Sequence, residues 1–157
     1  MKIIKNVGLI LLVVLVVAQF FGPDKNDGDS TSVDVFYSDT NPSEDVKLIL
    51  NNACNDCHSD STRYPWYNNV TPVNYWLAEH VEDGKKHFNI SKWNDYSDKK
   101  KDHKLDELIE MVEEKEMPLD SYTWVHGDAK LSQDQIDAVV SWAKTVRLKY
   151  VFLDEPQ

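Results

Sequence analysis

The sequence predicts an all-α domain preceded by an apolar N-terminal segment. Four stretches repeat apolar residues at spacings of three and four, which is the period of a helix with one buried face. No stretch of useful length alternates apolar and polar residues as a strand would. The chain of 157 residues is long enough for one domain with its own core, and too short for two comfortable ones.

The N-terminal segment, residues 1–22, differs in composition from the rest. Lys2 and Lys5 precede an almost continuously apolar run from Val7 to Gly22, which Gln19 interrupts. A run near the short limit of about 17–25 residues predicts a signal anchor or a signal peptide, and we favour the uncleaved anchor. Because both lysines precede the run, the positive-inside rule predicts attachment to the cytoplasmic membrane with the domain on the periplasmic side.

Residues 23–41 are rich in Asp and Ser and lack a helical apolar stripe. This composition predicts a polar tether, in which "VDVFY" is expected to form a short extended piece. The domain itself is then expected to cover residues 42–157.

The charge of the chain is strongly negative, with a formal net charge of −10. No basic patch stands out except "DKKKDHK", where three consecutive lysines sit beside two aspartates. Nucleic-acid binding is therefore not expected, since phosphate contacts need concentrated positive charge. An acidic surface would instead attract partner proteins with basic docking surfaces.

The first two predicted helices are delimited by capping residues. The first follows Ser43 and leads directly into Cys54. The second begins at Thr71, which is expected to cap it, with Pro72 in the first helical position. The residues expected on their inner faces are Val46, Ile49, Leu50 and Ala53 in the first helix and Val73, Trp76, Leu77, His80 and Val81 in the second.

The third and fourth helices follow the same pattern. The third is expected from about Ser97 to Glu116, and the fourth begins at Ser132, which forms a capping box with Gln135. Their expected inner faces are Leu105, Leu108, Ile109 and Val112 in the third helix and Ile136, Val139, Val140, Ala143 and Val146 in the fourth.

The motif that carries the chemistry is "CNDCH", which holds both cysteines of the chain, Cys54 and Cys57, followed by His58. A disulfide between them would close a very small loop, a zinc site lacks a second cysteine pair, and a thioredoxin-like redox pair belongs in a βαβ unit. The spacing is that of c-type haem attachment. We therefore predict one covalent haem c, with His58 as the proximal iron ligand.

A six-coordinate haem iron needs a second axial ligand, and Met117 is the favoured candidate. Pro118 ends the third helix, so Met117 lies on a loop able to cover the haem. Met111 falls on the helix beside core positions, where a packed methionine is expected. His126 is the best alternative ligand because it lies in the same loop, whereas His80 is expected to be a core histidine.

The sequence resembles a small class I c-type cytochrome and, more specifically, the bacterial haem-binding domain family of membrane-anchored Bacteroidetes proteins. The matching stretches are "CNDCHSDSTRYPWYNNVTPVNYWLAEHVEDGKKHFNISKW" and "EMPLDSYTWVHGDAKLSQDQIDAVVSW". The resemblance implies a cytochrome c-like fold around one covalent haem bound at Cys54, Cys57 and His58, with Met117 as the methionine of the family's Met-Pro pair.

Two further residues follow the motif in "STRYPWY" and are candidate haem contacts. Arg63 is expected to pair with a haem propionate, and Trp66 to donate its indole N–H. The alternative is a surface arginine and ordinary aromatic packing.

These observations predict a membrane-tethered monohaem c-type cytochrome that exchanges single electrons with redox partner proteins outside the cytoplasm. Two alternatives remain open. A haem peroxidase would need a displaceable sixth ligand and an acid/base group such as His80 or His126. A haem-based redox or gas sensor would normally need an output domain.

Overall fold

The computed structural model describes residues 2–151, which form eight α-helices and four short 3-10 turns. Residues 152–157 of the expected domain, and Met1, lie outside this range. No strand forms among the described residues, so the all-α prediction is confirmed. The helices are α1 (Lys2–Ala18), α2 (Asp34–Thr40), α3 (Glu44–Ala53), α4 (Asn55–His58), α5 (Val73–His87), α6 (Asp98–Glu113), α7 (Asp120–Thr123) and α8 (Gln133–Val151). The 3-10 turns are Ser30–Val33, Trp66–Asn69, Ile90–Asp95 and Gly127–Ala129.

The four helices expected from periodicity are α3, α5, α6 and α8, and most of their predicted caps form. The hydroxyls of Ser43 and Ser97 accept hydrogen bonds from the first turns of α3 and α6. At α8, the amide of Gln135 donates to the Ser132 hydroxyl at 3.3 Å and the Ser132 amide donates to the Gln135 side chain at 2.9 Å. This reciprocal pair is the predicted capping box.

Two helix boundaries differ from the prediction. Thr71 does not cap α5, because its hydroxyl donates to the Phe21 carbonyl and accepts from the Asn74 side chain. The third predicted helix, α6, ends at Glu113 instead of Glu116. The backbone turns through a left-handed conformation at Lys115, with φ of 62°, and this stops the helical hydrogen-bond pattern.

The core lies between α6 and α8, the most extensively packed helix pair, with α3 closing against α8. The inner faces predicted for α6 and α8 are confirmed, except that Leu108 is only partly buried at the edge of the core. Trp93, from the turn after α5, is fully buried and meets the ring of Phe36 edge-on at 5.0 Å. This aromatic contact joins the region before α3 to the core.

The polar tether expected at residues 23–41 is in part a helix. α2 covers the sequence "DVFYSDT", so the expectation of an extended "VDVFY" is wrong. Phe36 and Tyr37 on this helix are buried in the core. A helix of about two turns offers too few positions for a periodic stripe to be recognised. The tertiary burial of its two aromatic rings decides its conformation.

The N-terminal segment forms α1, which ends at Ala18, within the apolar run. Across residues 2–151, none of the helices combines the length and the apolar character needed to cross a membrane, so the expected N-terminal spanning segment is not found. Gln19, the polar residue in the run, exchanges two hydrogen bonds with the Thr71 backbone, at 3.1 and 2.9 Å. These bonds join the end of α1 to the start of α5.

Candidate functional site

The Cys-x-x-Cys-His sequence forms a tight turn between α3 and α5. Cys54 leaves the helical conformation at the end of α3, with φ of −123° and ψ of −46°, and α4 then begins at Asn55. The amides of Cys57 and His58 donate to the Cys54 carbonyl at 3.2 and 3.0 Å. The turn therefore holds two free thiols and an imidazole within five consecutive residues.

Both thiols lie in an apolar environment that keeps them protonated. Burial raises the pKa of Cys54 to about 12, with a smaller contribution from the neighbouring Cys57. Burial also raises the pKa of Cys57 to about 11, and the Asp56 carboxylate adds to the effect. A thiolate nucleophile needs a lowered thiol pKa, so this environment does not favour a redox pair.

The imidazole of His58 is oriented by the backbone that follows α5. Its Nδ1 lies 2.9 Å from the Phe88 carbonyl oxygen. Burial lowers the pKa of His58, while the carbonyls of Phe88 and Gly84 oppose this shift, so the ring is neutral near pH 7. A hydrogen bond at Nδ1 fixes the tautomer in which Nε2 carries the lone pair for a metal.

Gly84 allows α5 to pass directly against this turn. A Cβ atom at position 84 would lie 2.5 Å from the Cys57 carbonyl oxygen, which is shorter than any real contact of this kind. A side chain at this position would push α5 and the cysteine turn apart. Gly84 is therefore a requirement of the site that the sequence pattern did not reveal.

An apolar cleft lies beside Cys57 and contains about 500 Å3 of empty space, including its open mouth. The face of α5 predicted to enter the core lines the cleft instead, through Trp76, Leu77, His80 and Val81. This apolar face is therefore open at the cleft and is not covered by core side chains.

Asp56, inside the cysteine motif, joins the two sides of this cleft. Its buried carboxylate accepts bonds from the Arg63 amide and Nε at 3.0 Å each and from Arg63 Nη2 at 3.1 Å. The Tyr122 hydroxyl donates to the same carboxylate at 2.8 Å. Burial and the Asp56 charge raise the pKa of Tyr122, so its phenol stays protonated and remains a donor.

Two histidines line the cleft, and both are held by hydrogen bonds. His126 Nε2 lies 2.7 Å from the Tyr67 hydroxyl, and its ring stacks on Tyr122 at 4.2 Å. His80 Nδ1 lies 2.8 Å from the Trp76 carbonyl oxygen. His80 therefore faces the cleft and is not the core histidine expected from its position on α5.

The predicted site residues occupy different positions around this cleft. Cys57 and Arg63 lie on its wall, whereas Cys54 and His58 are not among the lining residues. Met117 is half-buried after α6, with its amide donating to the Met111 carbonyl at 3.0 Å, and Leu119 two residues later reaches the wall. Trp66 is exposed, with its ring edge-on to Tyr67.

The residues of this region fit a covalent c-type haem. Two free thiols and a neutral imidazole with an oriented ring lie on one turn, and an apolar cleft opens beside the second thiol. The contributions of Asp56 and Tyr122 were not predicted, because no spacing rule relates a residue inside the motif to one 66 positions later.

Comparison with known families agrees with this geometry. The family model described as a haem-binding domain matches residues 13–145, which includes the cysteine turn, all of the cleft and most of α8. No match was found among curated proteins or among solved structures.

Proposed function

Since the chain belongs to the haem-binding domain family, we propose that it is a monohaem c-type cytochrome that transfers single electrons outside the cytoplasm. The observation that carries this proposal is the turn at Cys54, Cys57 and His58. It combines two free thiols with a histidine whose Nδ1 is already engaged by the Phe88 carbonyl. That combination has the covalent and axial groups that one c-type haem needs.

Each residue of the turn has a distinct proposed role. Cys54 and Cys57 would hold the porphyrin through thioether bonds, and His58 would bind the iron through Nε2. Met117 would be the second axial ligand, where a neutral thioether favours ferrous iron and raises the reduction potential. A bound haem would supply the ferric–ferrous couple, and the protein would supply ligation, burial and access.

Arg63 and Trp66 would contact the propionate side of the haem. Arg63 uses Nε and Nη2 on Asp56, and its Nη1 has a long 3.5 Å contact to the Asn52 side chain. This end of the guanidinium is therefore the part available for a propionate. The exposed indole of Trp66, three residues after Arg63 on the same segment, would donate its N–H to the haem.

We place the domain at the periplasmic face of the cytoplasmic membrane. The support is the pair Lys2 and Lys5 in the first turns of α1, ahead of its apolar run, together with the export that c-type haem attachment requires. Cell fractionation followed by N-terminal sequencing of the mature protein tests this placement. Recovery with the cytoplasmic fraction would contradict it.

Covalent attachment is tested by producing the chain in a host with a cytochrome c maturation system. Acid-acetone extraction should leave the haem on the protein, and intact mass should show one haem per chain. Cys54→Ser and Cys57→Ser should each leave at most one thioether, whereas His87→Ala, an exposed histidine at the end of α5, should leave the attachment unchanged. Complete extraction of haem from the unaltered protein would overturn the proposal.

A second candidate, a peroxidase-like enzyme, has one observation in its favour: His80 and His126 both line the cleft. Either could move a proton in peroxide chemistry. Steady-state oxidation of a one-electron dye by hydrogen peroxide separates the two functions. An electron carrier with a firmly held sixth ligand should show no turnover above free haem, whereas turnover abolished by His80→Ala or His126→Ala would favour the enzyme.

A further inference from the structure

Large apolar side chains are exposed around the mouth of the cleft. Trp66, Trp76, Trp124 and Val125 have exposed fractions of 79%, 46%, 80% and 63%. We call these four residues the aromatic rim. Single exposed apolar residues are normal, but several tryptophans grouped around one cleft indicate a surface that binds a partner.

The members of the aromatic rim are connected through residues that line the cleft. The Trp66 ring lies 5.9 Å from that of Tyr67, whose hydroxyl is 2.7 Å from His126 Nε2. Trp124 and Val125 immediately precede His126 in the chain, and Trp76 itself lies on the cleft wall. The rim is therefore one surface around the site, although its members come from three separate segments.

The chain segments that carry the aromatic rim contain no lysine or arginine. Apart from histidines, the charged residues in segments 64–84 and 116–129 are all acidic. They are Glu79, Glu82, Asp83, Glu116, Asp120 and Asp128. The nearest arginine in sequence, Arg63, is paired with Asp56. Lys86 pairs with Glu82 and Asp83, and Lys115 and Lys130 flank the second segment. Glu79, Glu116, Asp120 and Asp128 remain, so the two segments combine the exposed apolar residues with a net negative charge.

We propose that the aromatic rim is the docking surface for a redox partner protein that presents an apolar patch surrounded by lysines and arginines. The proposal rests on the proposed electron-transfer function, because a partner seated on the rim would cover the cleft in which the haem is held. Tryptophans near the centre of an interface commonly supply much of the binding energy, and complementary charge mainly accelerates association.

The charge of the chain distinguishes this partner from other occupants. A second copy would bring the same net charge of −10 to the contact. An anionic lipid surface or a nucleic acid would likewise meet the net negative charge of the segments that carry the rim. A basic protein surface is the occupant whose charge is complementary.

The test measures binding of the haem-loaded full chain to an immobilised basic mitochondrial cytochrome c, with both proteins ferric so that no electron flows. Measurements are made at an ionic strength of about 10 mM, where the Debye length is about 30 Å, and again at about 150 mM. The variants are Trp66→Ser, Trp124→Ser and the pair Asp120→Asn with Asp128→Asn. Leu148→Ser, at a 54% exposed position on α8, is the matched control.

Each tryptophan variant should raise Kd about tenfold or more, whereas the control should stay within about twofold. The aspartate pair should slow association at low salt, with a smaller effect at higher salt. An absence of binding by the unaltered chain at low salt, or equal Kd values for both tryptophan variants and the unaltered chain, would overturn the proposal.

Two parallel measurements assign the surface to another occupant if the proposal is wrong. Sedimentation with vesicles of phosphatidylcholine and phosphatidylglycerol tests lipid, and analytical ultracentrifugation tests self-association. Loss of either kind of binding in Trp66→Ser and Trp124→Ser would also overturn the proposal.

A separate measurement tests the proposed electron-transfer function independently of the docking surface. Oxidation of the ferrous protein by ferricyanide needs no protein docking. If this reaction is absent, the electron-transfer assignment fails, while the Kd series on the haem-loaded chain still reports whether the rim binds a basic protein. If the small oxidant reacts normally and the Kd series is flat, only the docking surface is wrong.

Discussion

The hydroxyl of Tyr122 donates a hydrogen bond of 2.8 Å to the carboxylate of Asp56, across 66 residues of sequence. The contact joins α7, on the segment that follows Met117, to the turn that carries Cys57. Arg63 occupies the remaining acceptor positions of the same carboxylate. Asp56 thus holds both segments beside the cleft in a single arrangement.

Tyr122→Phe should lower the free energy of unfolding by about 1–3 kcal/mol, because it removes a donor from a buried carboxylate. It should also weaken the hold on the loop after Met117, so the ferric haem should bind added imidazole more readily than in the unaltered protein. Denaturant unfolding and ligand titration measure these effects. Tyr75→Phe, at an exposed position on α5, is the control and should change neither.

Gly84→Ala should disrupt the packing of α5 on the cysteine turn. The new Cβ would meet the Cys57 carbonyl oxygen at 2.5 Å, so the backbone of α5 or of the cysteine turn must move. This movement should lower the free energy of unfolding by about 1–3 kcal/mol. The yield of covalently attached haem should fall with it. Gly127→Ala is the matched control, because a Cβ there has no neighbour within 4 Å among the described residues. Equal stability of the two variants would contradict the close approach.

Met117→Ala should remove the proposed second axial ligand, lower the reduction potential and open the iron to external ligands. The Met–Fe charge-transfer band at the red end of the ferric spectrum should disappear. Met111→Ala, on α6, should retain the band. An unchanged low-spin spectrum in Met117→Ala, together with its loss in His126→Ala or His80→Ala, would contradict this assignment. The second ligand would then be the histidine whose replacement removes the spectrum. Both histidines line the cleft.

A second polar network joins α2 to the core at Asp39. Its carboxylate accepts hydrogen bonds from the Trp93 indole at 2.7 Å, from the Tyr150 hydroxyl at 2.6 Å and from Lys149. Lys101 lies 3.4 Å away. Burial by itself would raise the pKa of Asp39, but these donors and positive charges outweigh it and hold the pKa well below its usual range.

A carboxylate with a lowered folded-state pKa stabilises the fold when it is ionised. The contribution of Asp39 should be fully present above its unfolded pKa of about 4, and it should be lost as pH falls from there toward the folded pKa. Asp39→Asn should therefore lower the free energy of unfolding at pH 7 and flatten its decline below pH 4. Denaturant unfolding from pH 7 to pH 3 measures this, with the exposed Asp95→Asn as control. Parallel pH profiles for the unaltered protein and Asp39→Asn would contradict the assignment.

Helix positions and the cofactor motif could be predicted from the sequence because they are local. Ser132 and Gln135 are three residues apart, so their capping box depends on one turn of chain. Cys54, Cys57 and His58 likewise lie within five positions, and covalent chemistry needs that spacing. Short-range geometry of this kind is encoded by residue type and separation alone.

Other parts of the fold depend on burial that no local pattern predicts. Phe36 and Tyr37 form too short a segment to show a helical stripe, yet they enter the core as part of α2. In the sequence, Gln19 only interrupts an apolar run. Its two hydrogen bonds to Thr71 depend on the tertiary structure, which brings the end of α1 beside the start of α5.

The sequence by itself therefore determined an all-α chain, its four main helices and the Cys-x-x-Cys-His motif. Tertiary structure decided that the apolar face of α5 lines a cleft rather than the core, that Gly84 must lack a side chain and that Asp56 joins Arg63 to Tyr122. The physical reason is the range of the interactions. Helix periodicity and caps act within one turn, whereas the cleft, the close helix approach and the shared carboxylate arise when segments up to 66 residues apart are packed together.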